Sequence, residues 1–166
     1  MTACANRLLR TTPPARRALT AASVALALAL AGCASAPKPT QLAGSVQAAA
    51  NINPSVSGRP SPLLVRLYEL KTPTAFESAD FVALFQRDQA ELGADLLGRE
   101  EIMLNPGETR PVGKTLAPET RFIGVFGAFR DLERARWRTV VAVEPGKKNN
   151  LVVRADDRSI GASVSK

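Results

Sequence analysis

The sequence predicts an all-β protein, an antiparallel β-sandwich with one short helical insertion. Three observations carry this. Strand-sized apolar runs recur along the chain, each bounded by Pro, Gly or Asn. Apolar residues make up 45% of 166 residues, enough for a core of its own at a length that suits one domain. Helical spacing of apolar residues shows clearly in one stretch, Phe81, Leu84 and Phe85.

Taken in order, Leu42 to Asn51 reads as a weak first strand, poor in β-branched residues. Leu63 to Leu70 is stronger, with Leu63, Val65 and Leu67 on one face and Arg66 and Tyr68 on the other. Thr74 and Glu77 have capping-box spacing. Asp80 is placed to cap a second short helix whose Phe81, Leu84 and Phe85 pack on the sheet. Leu97 to Leu104 ends at Pro106-Gly107, a type II turn into Thr109–Thr115. Arg121 to Phe129 is apolar on both faces and reads as a central strand. A strand through Trp137 to Val143 turns at Pro145-Gly146 into Asn150–Ala155, and Ser159–Ser163 adds a ragged last edge.

Ahead of this domain the chain reads as an address. Arg7, Arg10, Arg16 and Arg17 precede an apolar run from Ala18 to Ala31, which at 14 residues is shorter than the roughly 20 a membrane span needs. The run ends in Leu30-Ala31-Gly32-Cys33, which resembles a bacterial lipobox, where the Cys sulfur becomes a thioether to diacylglycerol. The expected organisation is a lipoprotein signal peptide over 1–32, a lipidated Cys33 with a Pro-containing tether over 33–41, and a β-sandwich over 42–166. Ala34 and Ser35 follow the Cys where retained lipoproteins carry Asp, which by resemblance to sorted lipoproteins favours the outer membrane, periplasmic face. Cys4 goes with the leader and Cys33 carries lipid, so the mature chain forms no disulfide. The leader also supplies four of the seven net positive charges, and the remaining +3 calls for no nucleic-acid partner.

Chemistry is hard to find. With no His, every His-based triad and His metal site is excluded. Ser61, Ser78 and Ser159 therefore lack that base. Gly124 and Gly127 lie inside a strand pattern and cannot cradle a phosphate. Glu100-Glu101 and Asp156-Asp157 point to opposite strand faces and read as solvated charge rather than paired catalytic acids. No Cys, His or acid cluster has metal-ligand spacing. The expectation is no enzyme, no cofactor and no metal. The charged stretch Arg130 to Arg138 reads as a hairpin connection with Arg–carboxylate pairs and Trp137 folded into the core. A rival reading makes Arg134, Arg136 and Trp137 a periplasmic site for a small ligand or cell-wall glycan.

The segment from Ile52 to Pro62 exceeds the usual hairpin length, and three prolines stiffen it. On the residues alone it is equally a recognition loop or a crossover between sheets.

Several stretches together resemble the outer-membrane lipoproteins of type VI secretion systems, the TssJ, VasD or SciN family. They are Asn53-Pro54 with Gly58 to Lys71, Ala75 to Phe81, Leu92 to Leu97 with Arg99-Glu100, Pro106-Gly107, Gly124 to Arg130, and Ala135 to Arg138. The resemblance implies a transthyretin-like β-sandwich. It also implies a tether that binds the periplasmic C-terminal domain of the inner-membrane protein TssM through the loop between the first two strands. In this sequence that loop offers Asn53, Pro54, Ser57, Gly58, Arg59 and Pro60, with Arg59 the expected charged anchor.

Overall fold

The computed structural model describes residues 38–165; the leader over 1–32, Cys33, the tether as far as 37 and Lys166 lie outside the described residues. Eight strands run in chain order as β1 (Gln41–Ala48), β2 (Leu63–Leu70), β3 (Leu96–Leu104), β4 (Thr109–Thr115), β5 (Phe122–Gly127), β6 (Arg138–Ala142), β7 (Lys148–Ala155) and β8 (Ile160–Ser165). Between β2 and β3 lie α1 (Thr74–Ser78) and α2 (Phe81–Leu92), followed by a 3₁₀ turn at Gly93–Asp95. The strands make two four-stranded sheets, β4-β1-β7-β8 and β3-β2-β5-β6. The sheets are stitched along one side, where Arg136 and Ser159 bridge and Ile160 N donates to Arg136 O at 2.9 Å.

The expected all-β sandwich is present, mostly antiparallel, with one parallel strand pair. β1 pairs with β7 in parallel, Gln41 opposite Lys148 through Ala48 opposite Ala155. No hairpin joins these two strands, so no tight turn dictates their relative direction. Their approach is close: a Cβ on Gly44, which has φ +149°, would run into the Leu151 carbonyl. That close approach requires the glycine, one of the residues that make the first strand look weak by composition.

Leu42, Val46, Val65, Leu67, Val125, Leu151 and Val153 fill the space between the sheets. β2 is buried on its other face as well, because α1 and α2 cover it. Tyr68, Leu70, Phe76, Leu84, Leu92 and Phe126 form a second apolar layer there. Trp137 lies half-buried against both layers, edge-on to Phe81 at 5.4 Å and to Phe126 at 5.7 Å.

The helical insertion departs from its sequence pattern in three ways. Thr74 is the first helical residue rather than a cap, and α1 has no side-chain cap; it is held by the fully buried Phe76. Its last carbonyls are taken by Arg138, whose Nη1 donates to Phe76 O at 3.0 Å and Ala79 O at 2.6 Å. Asp80 does cap α2, accepting from Ala83 N at 2.8 Å, but the helix runs on to Leu92 and breaks at Arg87. Phe85 stays at the rim, 40% exposed, while Leu84 is buried.

Arg66 is what the broken helix leans on. Its Nη1 donates to the Leu84 and Phe85 carbonyls at 3.0 and 2.9 Å, and its Nε donates to Glu101 at 2.8 Å. Glu101, expected as solvated charge, is therefore paired at the sheet edge. Asp88 sits nearby, taking Tyr68 OH at 3.0 Å and Arg99 at 2.7 Å. Burial would raise the Asp88 carboxyl, but Arg99, Tyr68 and Arg66 outweigh it and hold it below the usual range. Glu69 is alike: burial opposes ionisation, and Lys114, the Ala117 amide and Thr120 override it.

Two outcomes follow. A depressed folded-state carboxyl contributes stability above its unfolded value and loses it as pH falls through the folded one. Urea midpoints should therefore hold from about pH 7 to 5 and drop below about pH 4, with Asp88→Asn shrinking that drop. Arg66→Met leaves two helix carbonyls and Glu101 without their donor, and should cost about 2–4 kcal/mol in urea unfolding.

Candidate functional site

The 52–62 loop leaves β1 at one end of the sandwich and returns to β2 at the same end. Its base is pinned from inside. Ile52 is fully buried and Asn53 is 3% exposed. Asn53 has φ +48°, a left-handed conformation that asparagine tolerates better than most residues. Its backbone N donates to Asp157 O at 3.0 Å, its Nδ2 donates to Pro62 O at 2.9 Å, and its Oδ1 accepts from Arg130 N at 2.9 Å. One side chain and its own amide thus fasten the β1–β2, β5–β6 and β7–β8 connections together. Ser61 N donates to Ile52 O at 3.1 Å and closes the neck.

Beyond the neck the loop folds back on itself. Ser55 N donates to Arg59 O at 2.8 Å, Gly58 N to Ser55 O at 2.8 Å, and Arg59 N to Ser55 Oγ at 3.2 Å. Gly58 takes φ +76°, which the turn requires. The product is a small closed turn with Val56 at its tip, as exposed as a residue in an extended chain. Val56 is the lone apolar side chain other than proline between Asn53 and Pro62.

The sequence-named residues divide accordingly. Asn53 shapes the loop from within, Pro54 is half-buried, and Ser57, Gly58, Arg59 and Pro60 are exposed on the turn and its descending arm. Val56 is absent from that set, although a lone valine in a polar, proline-stiffened loop is itself a signal. An open groove lies beside the turn, between Pro54 and Val56 on one side and Arg130, Arg134 and Arg158 on the other. Its charges balance locally: Arg158 pairs with Asp131 at 3.1 Å and with Asp157 at 3.3 Å. Within the Arg130–Arg138 stretch itself, the expected Arg–carboxylate pairing amounts to Arg134 with Asp131 at 3.9 Å.

The rival ligand-binding trio does not converge. Arg134 is exposed beside the groove, Arg136 lines a separate shallow depression with Val152 and Arg154, and Trp137 turns to Phe81 and Phe126. Among the described residues no group of three or more His, Cys, Asp or Glu is placed to hold a metal ion.

The sandwich thus presents a pinned loop with an exposed apolar tip. Residues 40–158 match the family described as "Type VI secretion lipoprotein, VasD, EvfM, TssJ, VC_A0113". The chain belongs to this type VI secretion lipoprotein family, which is a family of membrane-complex components rather than enzymes. The T6SS lipoprotein TssJ1 from Pseudomonas aeruginosa is 41% identical, with a TM-score of 0.74 over 77% of this chain and 98% of that one. A chain from the structure described as "Type VI membrane complex" is 29% identical, with a TM-score of 0.64 over 74% of this chain and 97% of that one. A chain from the structure described as "T6SS protein TssM C-terminal domain (869-1107) from EAEC" is 27% identical, with a TM-score of 0.62 and the same coverage. Serratia marcescens Lip, a membrane-bound component of the system, shares the fold at 23% identity and a TM-score of 0.68 over 78% of this chain and 99% of that one. Comparison with curated sequences gives no match.

Removing the Asn53 side chain should loosen the loop without unfolding the sandwich. Asn53→Ala should cost about 1–3 kcal/mol in thermal unfolding. It should also speed hydrogen exchange at Arg130 and Gly58 while leaving the amides of β2 protected.

Proposed function

We propose that this lipoprotein tethers the periplasmic C-terminal domain of a TssM-like inner-membrane protein to the outer membrane. In this reading Cys33 carries the lipid, the sandwich is a rigid spacer, and the 52–62 loop grips the partner with Val56 and Arg59 at its turn. Family membership and the likeness to chains of type VI membrane structures support it.

The observation that carries the reading is polarity along β1. The tether joins the domain at Lys38–Gln41, and β1 then runs from Gln41 to Ala48 before the loop begins. Eight strand residues separate the two by about 26 Å. The loop therefore stands at the end of the domain away from its point of attachment, free to meet a protein approaching across the periplasm. Its closed turn limits the entropy lost on binding, which favours a small apolar tip as an anchor.

Calorimetry of the mature Cys33→Ser chain against the periplasmic C-terminal domain of its cognate TssM-like protein tests the partner. Saturable binding is expected, weakened at least about tenfold by Val56→Asp and lost on shortening the loop. Absence of binding by the folded chain would contradict the tether. The anchor has its own test: Cys33→Ser should move the protein from the outer-membrane fraction to the soluble periplasm with partner binding intact. A variant still in the membrane fraction would defeat lipidation at Cys33.

A further inference from the structure

The opposite end of the sandwich, where the tether enters, is organised as firmly as the loop end. The β6–β7 turn there is built around Asn149, 2% exposed, which donates to Glu144 O at 3.1 Å and Lys147 O at 3.2 Å and accepts from Glu144 N at 2.8 Å. The incoming chain is sewn to the same turn. Gly146 N donates to Thr40 Oγ1 at 2.9 Å, and Gln41 N donates to Lys147 O at 2.9 Å. This arrangement gathers Lys38, Lys147 and Lys148, all exposed, around the point of entry. Lys147 pairs with Glu144 at 2.6 Å, while Lys38 and Lys148 have no ionic partner among the described residues. Farther round the same end, Lys71 pairs with Glu119, Lys114 pairs with Glu69, and Arg121 donates to the Pro118 and Thr120 carbonyls. Asp95, whose carbonyl takes Lys71 N, adds one more acid.

We propose that Lys38, Lys147 and Lys148 form a docking patch for the anionic phospholipid headgroups of the leaflet that holds the anchor. This rests on the reading that Cys33 carries lipid. Cys33 stands five residues before Lys38, a span of at most about 18 Å. With acyl chains in the leaflet, these lysines cannot move far from its surface, so each encounter is an intramolecular one at high effective concentration. Lysines near an anionic surface are attracted within about a Debye length, about 8 Å at physiological salt. Docking by this end directs the 52–62 loop away from the membrane, which a tether alone does not do.

The test uses the mature Cys33→Ser chain, which has no acyl group, and phosphatidylethanolamine vesicles with about one-third phosphatidylglycerol. At low salt the chain should float with these vesicles, stay behind with neutral phosphatidylcholine vesicles, and be released by high salt. The triple variant Lys38→Gln, Lys147→Gln, Lys148→Gln should weaken binding about 100-fold, since each lysine counts for about fivefold. Arg59→Gln, Arg130→Gln, Arg134→Gln removes the same charge from the loop end and should leave binding within about twofold. No flotation with the anionic vesicles, or equal loss in both triple variants, would overturn the patch. Failure of the anchor reading shows separately, in the membrane fractionation of Cys33→Ser.

Discussion

Asn53 holds the loop end of the sandwich together. Three connections that are remote in sequence meet on one left-handed residue and the two ends of its carboxamide. A buried amide must satisfy its donors and acceptor, and here it does so only when the β1–β2, β5–β6 and β7–β8 loops all stand in place. The turn from Ser55 to Arg59 inherits its position from that neck. Asn149 plays the corresponding part at the other end, holding in shape the β6–β7 turn to which Thr40 and Gln41 of the incoming chain bond. Each end of the domain is thus built on a buried asparagine.

Between them, β2 makes the domain stiff. It is covered on one face by the opposite sheet and on the other by α1 and α2, with Leu63, Val65 and Leu67 turned one way and Tyr68 and Leu70 the other. Arg66 converts a potential weakness, the broken carbonyls of α2, into a cross-link between helix and strand. A stiff spacer suits the proposed tether, whose anchor and partner loop lie at opposite ends of the domain. Force applied at the loop reaches the attachment end through β1, which is hydrogen-bonded on both sides, to β4 and to β7.

Much of the fold was legible in the sequence because strand burial follows a period of two and turns carry Pro and Gly. Leu63–Leu70 and Thr109–Thr115 have the predicted ends, and Asp80 caps the helix it was expected to cap. What stayed hidden depended on contacts distant in sequence. The parallel β1–β7 pairing has no local signature, and Gly44 reads as weakness until Leu151 lies against it. Arg66 and Asp88 look like surface charge because their partners come from other elements. At the site, the proline-stiffened loop was recognisable as a segment. Its inner and outer residues were not, because Asn53 turns inward only through Pro62 and Arg130, and Val56 becomes the tip only once Ser55 and Arg59 close the turn.

If the 52–62 loop grips a TssM-like partner, Asn53 acts on binding by presenting Val56. A double-mutant cycle with Asn53→Ala and Val56→Ala, read by calorimetry against the TssM-like periplasmic domain, tests it most directly. Strong non-additivity is expected, the double variant binding about as weakly as the weaker single one, with a coupling of at least about 1 kcal/mol. Additive losses would show that the two residues act independently, and would contradict a tip whose contribution depends on its pinned neck.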